Sequence, residues 1–134
     1  MAIGSRGLKA AAFSLLLAVG AASATRIEPD AVIIFAPGAE SVSAADSATL
    51  EQIAARAKTG PEKWISVEAY AGDQGSRELN LALSQRRGYE VSHHLVALGV
   101  PASRIRETSY GNEHMDESDL PMRRVEIRIR PRQP

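Results

Sequence analysis

A chain of 134 residues without cysteine can form no disulfide and no thiolate metal site, and it offers no cysteine for lipid attachment. Sixteen Lys and Arg balance sixteen Asp and Glu, so no bulk field draws the protein to nucleic acid or to an anionic membrane. The hydrophobic fraction, 44%, is ordinary for a globular protein, and aromatics at 4% leave recognition by base stacking unsupported.

The first residues read as a secretory leader. Arg6 and Lys9 make a positive start, Ala10 to Val19 is apolar or small apart from Ser14, and Ala22-Ser23-Ala24 is an A-x-A cleavage site. The apolar stretch is shorter than the ~20 residues of a membrane span, and no later run is long enough either. We therefore expect a signal peptide over 1–24. Removing 24 of the 134 residues leaves 110, and the loss of Arg6 and Lys9 takes the formal charge from 0 to −2. That length suffices for one core. Export without disulfides suits a bacterial envelope compartment.

Residues 25–30 form a short lead-in. Ala31-Val32-Ile33-Ile34-Phe35 is rich in β-branched residues and reads as a strand buried on both faces. Ala36-Pro37-Gly38-Ala39 breaks it. Ser43 with Asp46 three residues on marks a helix start, and Leu50, Ile53, Ala54 and Ala57 keep helical spacing. Gly60 and Pro61 stop that helix. Trp64 to Tyr70 alternates: Ile65, Val67 and Ala69 share one face, Ser66, Glu68 and Tyr70 the other. Ala71 to Gly75 is a turn. Ser76 can cap a second helix running to about Leu98, which Gly99 and Pro101 end.

Within that helix Leu79, Leu83, Val91 and Leu95 fall on one stripe, and Arg87 falls between them. A guanidinium there must reach out to water or meet an anion. Two readings stand about even: a structural ion pair, for instance with Glu68 or Asp73, or a fixed cation that holds a ligand carboxylate bidentately. Arg106 to Tyr110 is a third strand and Gly111 to Pro121 a polar loop. In the last strand, Arg123 to Arg130, Val125, Ile127 and Ile129 point one way, and Arg124, Glu126, Arg128 and Arg130 the other. We read the latter as surface charge partnered by the acids of the preceding loop. Residues 132–134 are a loose tail. The order βαβαββ implies an α+β domain over 31–131, with a mixed four-stranded sheet and two helices packed on it.

Sequence signals for chemistry are few. His93 and His94 point about 100° apart on a helix, His114 is alone, and no HExxH or 2-His-1-carboxylate spacing exists. There is no GxSxG and no cysteine nucleophile. Gly72-Asp73-Gln74-Gly75 could cradle an anion but lacks the GxGxxG and P-loop patterns. The acids between Glu113 and Asp119 lack EF-hand spacing. An enzyme is therefore disfavoured, and no cofactor is expected.

Three segments carry a family resemblance. NLALSQRRGYEVSHHLVALGVPASRI resembles the Asn-x-x-Leu-Ser-x-x-Arg-Ala helix and Gly-Val/Ile turn of the OmpA-like C-terminal domain. SYGN resembles its glycine turn, and MRRVEIRI its Asn-Arg-Arg-Val-Glu-Ile strand. The resemblance spans roughly Val32 to Arg130 and implies an OmpA-like βαβαββ sandwich that binds peptidoglycan without catalysis. In such domains an aspartate of a Gly-His-Thr-Asp turn and the helix arginine grip the diaminopimelate of the stem peptide. The arginine carries over to Arg87; Asn80, Leu83 and Ser84 match the same motif, and Arg123 and Arg124 match the arginine pair.

The aspartate falls on Gly72, with Asp73 one residue later. Met122 stands for the asparagine before the arginine pair, Gly88 for the helix alanine, and Ala36 for an acid often found after the first strand. The ligand-binding set that the resemblance implies is Arg87, Asp73, Asn80, Gly72 and Arg124. It implies peptidoglycan as the partner and a periplasmic protein, associated with the cell wall or outer membrane. The alternative is a degenerate OmpA-like module that serves envelope proteins in interaction or assembly.

Overall fold

The computed structural model describes residues 28–113 and 119–132. The expected leader, residues 25–27 of the lead-in, and His114 with residues 115–118 of the acidic loop lie outside these residues.

Local signals set the elements in order: β1 (Ala31–Ile34), α1 (Ala44–Lys58), β2 (Lys63–Tyr70), α2 (Arg77–Ala97), a 3-10 turn (Ala102–Arg104), β3 (Ile105–Gly111) and β4 (Arg124–Pro131). Ser43 Oγ accepts from Asp46 N at 3.1 Å and Ser76 Oγ from Leu79 N at 3.1 Å, so each helix starts on a serine cap. Lys58 Nζ donates to Leu98 O at 2.8 Å and ties the ends of the two helices together.

The sheet order is β1-β4-β2-β3, with β2 and β3 parallel and β4 antiparallel to both its neighbours. This is the mixed four-stranded α+β arrangement read from the sequence. The register sets Val125 beside Ala69, Ile127 beside Val67 and Ile129 beside Ile65. Those side chains share the face on which Leu50, Ile53, Val91 and Leu95 complete the core.

Four expectations change. First, β1 is an edge strand, and Ile34 is 46% exposed rather than buried on both faces. Second, the buried stripe of α2 does not include Leu79, which is 64% exposed; the helix instead buries Asn80, Leu83, Ser84, Arg87, Val91 and Leu95. Third, three of the four outward β4 charges do not face water, and Arg130 is half-buried. Arg124, Glu126 and Arg128 are all buried, because β4 lies between β1 and β2 and the long side chains fill the sheet's second face. Glu126 bridges Arg124 Nε at 2.9 Å and Arg128 Nη2 at 2.7 Å, and Arg128 Nη1 also reaches Glu68 at 2.9 Å. The described carboxylates that meet them are strand acids, Arg124 Nη1 also donates to Pro121 O of the preceding loop at 3.2 Å, and Glu113 of that loop pairs with Arg77. Fourth, Arg132 is tied down: its N–H donates to Glu62 O at 3.2 Å and its guanidinium pairs with the Glu62 carboxylate.

Candidate functional site

Two loops meet at one end of the sheet, and Arg87 joins them. The β1–α1 loop passes over α2 and offers carbonyls; the β2–α2 loop offers a carboxylate. Arg87 Nε donates to Ala39 O at 2.8 Å and Nη2 to Ala36 O at 3.4 Å. Nη1 donates to Asp73 Oδ1 at 2.9 Å and Nη2 to Asp73 Oδ2 at 3.3 Å. The guanidinium lies 5.1 Å from the Phe35 ring centroid and has no exposed surface. Of the two ion-pair partners the sequence suggested, Asp73 is the one that meets it.

Asp73 is fixed from two sides. Gly38, at φ +72° where side chains are disfavoured, points its N–H at Asp73 Oδ2 from 2.6 Å. Burial pushes the Asp73 carboxyl up, but the Arg87 guanidinium and the Gly38 N–H outweigh it and hold the group below the usual carboxylate range. The carboxylate is therefore charged at neutral pH and keeps 11% of its side-chain surface open.

That open surface faces a cleft of about 530 Å³. Gly72, Asp73 and Gln74 line one side, Pro37 and Gly38 another, and Met122 and Arg123 the third. At Gly72 there is no room for a side chain, since a Cβ would lie 2.6 Å from Met122 Cβ. Two of the four departures from the family motif, at positions 72 and 122, thus lie against each other. Among the described residues no group of His, Asp and Glu could hold a metal ion.

Of the expected binding set, the structure brings Arg87, Asp73 and Gly72 together. It does not bring Asn80 or Arg124 to the cleft. Asn80 is buried in the first turn of α2, where the helix meets the end of β3; a Cβ on Gly111 would come within 3.0 Å of the Leu81 backbone and 3.3 Å of the Asn80 carbonyl carbon. Ser84 seals that junction by accepting from Gly111 N at 3.0 Å. Arg124 turns to the opposite face of the sheet, 4.1 Å from the Tyr70 ring centroid. The cation of the cleft is Arg123 instead. Strand alternation carried the signal: residue 123 shares its parity with core-facing Val125, residue 124 with Glu126.

The sequence pattern of the OmpA family matches residues 34–127. The peptidoglycan-associated lipoprotein of Rhizobium meliloti is 40% identical over 81 residues, covering 60% of this chain and 46% of that protein. The protein of the same name from Brucella melitensis is 47% identical over 53 residues, covering 40% of this chain and 32% of its own length. The chain therefore matches about half or less of these relatives. Among solved structures, the peptidoglycan-associated lipoprotein of Burkholderia pseudomallei superposes with a TM-score of 0.66 at 27% identity, covering 74% of this chain and 89% of that one. The periplasmic domain of Helicobacter pylori MotB shares the fold, with a TM-score of 0.61 at 19% identity over 79% of each chain. The matched pattern covers most of the chain, including both loops of the cleft and the helix that carries Arg87, and on that basis the chain belongs to the OmpA family.

Proposed function

We propose that the protein binds cell-wall peptidoglycan without catalysis, in the bacterial envelope, and that its cleft takes the diaminopimelate of a stem peptide. One observation carries this reading: a carboxylate, Asp73, held charged at the open mouth of a cleft in a chain of the OmpA family. The named relatives are peptidoglycan-associated lipoproteins, and the leader-like residues 1–24 support export to the periplasm. Binding to a single stem peptide is weak. Charge-assisted contacts contribute about 1.5–3 kcal/mol each, and two of them place the dissociation constant near the millimolar range.

A second reading has its own observation. Where the family motif has its acid, Gly72 stands against Met122 with no space for a side chain. This favours a module that has left peptidoglycan for a protein partner in envelope assembly. Sedimentation with purified sacculi separates the two. Retention of the purified protein that falls when Asp73→Ala is introduced supports peptidoglycan binding; no retention of the unaltered protein rejects it and leaves the assembly reading.

A further inference from the structure

Arg87 is poorly placed to receive a ligand anion. A guanidinium has five N–H donors. Four donor directions of Arg87 already go to Ala39 O, Ala36 O and the two oxygens of Asp73, and none of its surface is exposed. A carboxylate reaching it would have to displace Asp73 and leave that acid without its counter-ion, which a partly buried charge resists.

Arg123 is in the opposite condition. It lines the cleft with part of its surface open, no ion pair joins it to any described residue, and its Nε, though buried, has no hydrogen-bond partner. Arginine is the side chain best shaped to hold a carboxylate through two parallel N–H bonds. Asp73 and Arg123 are the two charged residues that line the cleft, one anion and one cation.

Building on the function proposed above, we infer that Arg123 receives the ligand carboxylate, Asp73 receives the neighbouring ammonium, and Arg87 is a positioning residue that fixes Asp73. The ligand class this selects is a zwitterionic amino-acid end, with ammonium and carboxylate on one carbon. A lone amine would satisfy Asp73 but leave the Arg123 guanidinium without an anion. Gly72 and Met122 line the same cleft and are uncharged, and no second acid among the lining residues competes with the ligand carboxylate for Arg123.

Two stem tripeptides test this: L-Ala–γ-D-Glu–meso-diaminopimelate, and its analogue with L-Lys in place of diaminopimelate, which keeps the side-chain ammonium and lacks the carboxylate beside it. In NMR titrations the unaltered protein is expected to prefer the diaminopimelate form by about ten- to a hundredfold, the worth of one charge-assisted contact. Arg123→Gln is expected to bring both peptides to the same weak affinity with the melting temperature unchanged. Asp73→Asn is expected to weaken both. Preference that survives Arg123→Gln overturns the assignment, even where sacculus sedimentation shows that peptidoglycan binding stands. Failure of the unaltered protein to sediment with sacculi or to bind either peptide overturns the underlying function as well.

Discussion

Arg87 has no exposed surface, yet it carries a charge, so its worth to the fold depends on what meets it. Asp73 and the carbonyls of Ala36 and Ala39 do so, and together they pin two loops to α2. Arg87→Ala removes the counter-ion of Asp73 and opens a cavity under both loops. Breaking a buried pair from one side costs about 3–5 kcal/mol, and the lower end applies because Asp73 can regain some water through its open edge. Urea denaturation is expected to show a loss of about 3 kcal/mol, a large share of a typical stability of about 5–15 kcal/mol. The pair also sets a pH dependence. Because the Asp73 carboxyl is held below its ordinary value in the folded state, its contribution is complete above the unfolded value of about 3.9 and is lost as pH falls through the lower folded value. Melting temperatures of the unaltered protein and Asp73→Asn should differ most between about pH 5 and 7 and converge below about pH 4. A gap that widened on acidification would show that Asp73 is not held charged. Arg87 was legible in the sequence because it broke an apolar period, and Asp73 because it was one of few acids within reach. Arg123 carries no such signal beyond the alternation of β4, which sets Arg124 on the side away from the core. The Gly72–Met122 contact was beyond sequence reasoning, since fifty residues separate its members and no periodicity links them.

At the scale of elements, β4 carries two faces of different chemistry. One contributes Val125, Ile127 and Ile129 to the core; the other carries Arg124, Glu126 and Arg128, which a sequence reading takes for a solvated edge. The elements themselves were readable from caps and periods, as Ser43, Ser76 and the β2 and β4 alternations show. Their order in the sheet was not, and the central place of β4 is what buries its charges. Glu126 bridges two guanidiniums at 2.9 and 2.7 Å, and it is 3% exposed. Glu126→Ala is expected to destabilise by about 3–5 kcal/mol. Glu68→Ala should cost clearly less, because Glu68 keeps 24% of its side-chain surface exposed and meets Arg128 alone of the two arginines. Equal costs in denaturation would mean that burial does not set the strength of this network. The junction of the β2–α2 loop with the start of β4 makes a sharper case. Gly72→Ala places a Cβ 2.6 Å from Met122 Cβ, an overpacking that costs about 1–3 kcal/mol. Met122→Gly removes the opposing atom. The double variant is expected to lose less stability than the two single changes added together, by at least about 0.5 kcal/mol, as contacting residues do. Strict additivity would show that the two positions do not touch.

The whole molecule closes through its last strand. Among the described residues β1 is the first strand and β4 the last, yet they are neighbours, and β4 also separates β1 from β2. Before β4 arrives, β2 and β3 can pair and α2 can pack on them, but β1 has no partner and the core lacks Val125 and Ile127, both fully buried, with Ile129 beside them. Fully burying a Val or Ile side chain contributes about 1.5–3 kcal/mol, so Val125 and Ile127 alone contribute about 3–6 kcal/mol, before partly buried Ile129 is added. That is a large share of the net stability of an ordinary domain, about 5–15 kcal/mol. The second face loses as much order, because Glu68 forfeits Arg128. A chain ended after Pro121 is therefore expected to lose cooperative unfolding, with far-UV circular dichroism declining gradually in urea, whereas one ended after Arg132 should keep a sigmoidal transition at the midpoint of the full chain. The cleft must follow the sheet, because Arg123 is set by the entry into β4 and Phe35 N donates to its carbonyl at 2.9 Å. Sacculus retention is then expected to vanish in the shorter chain and persist in the longer. If the chain ended after Pro121 unfolded cooperatively, β1 and the helices would hold together without the central strand, and the closure of the fold through β4 would be wrong.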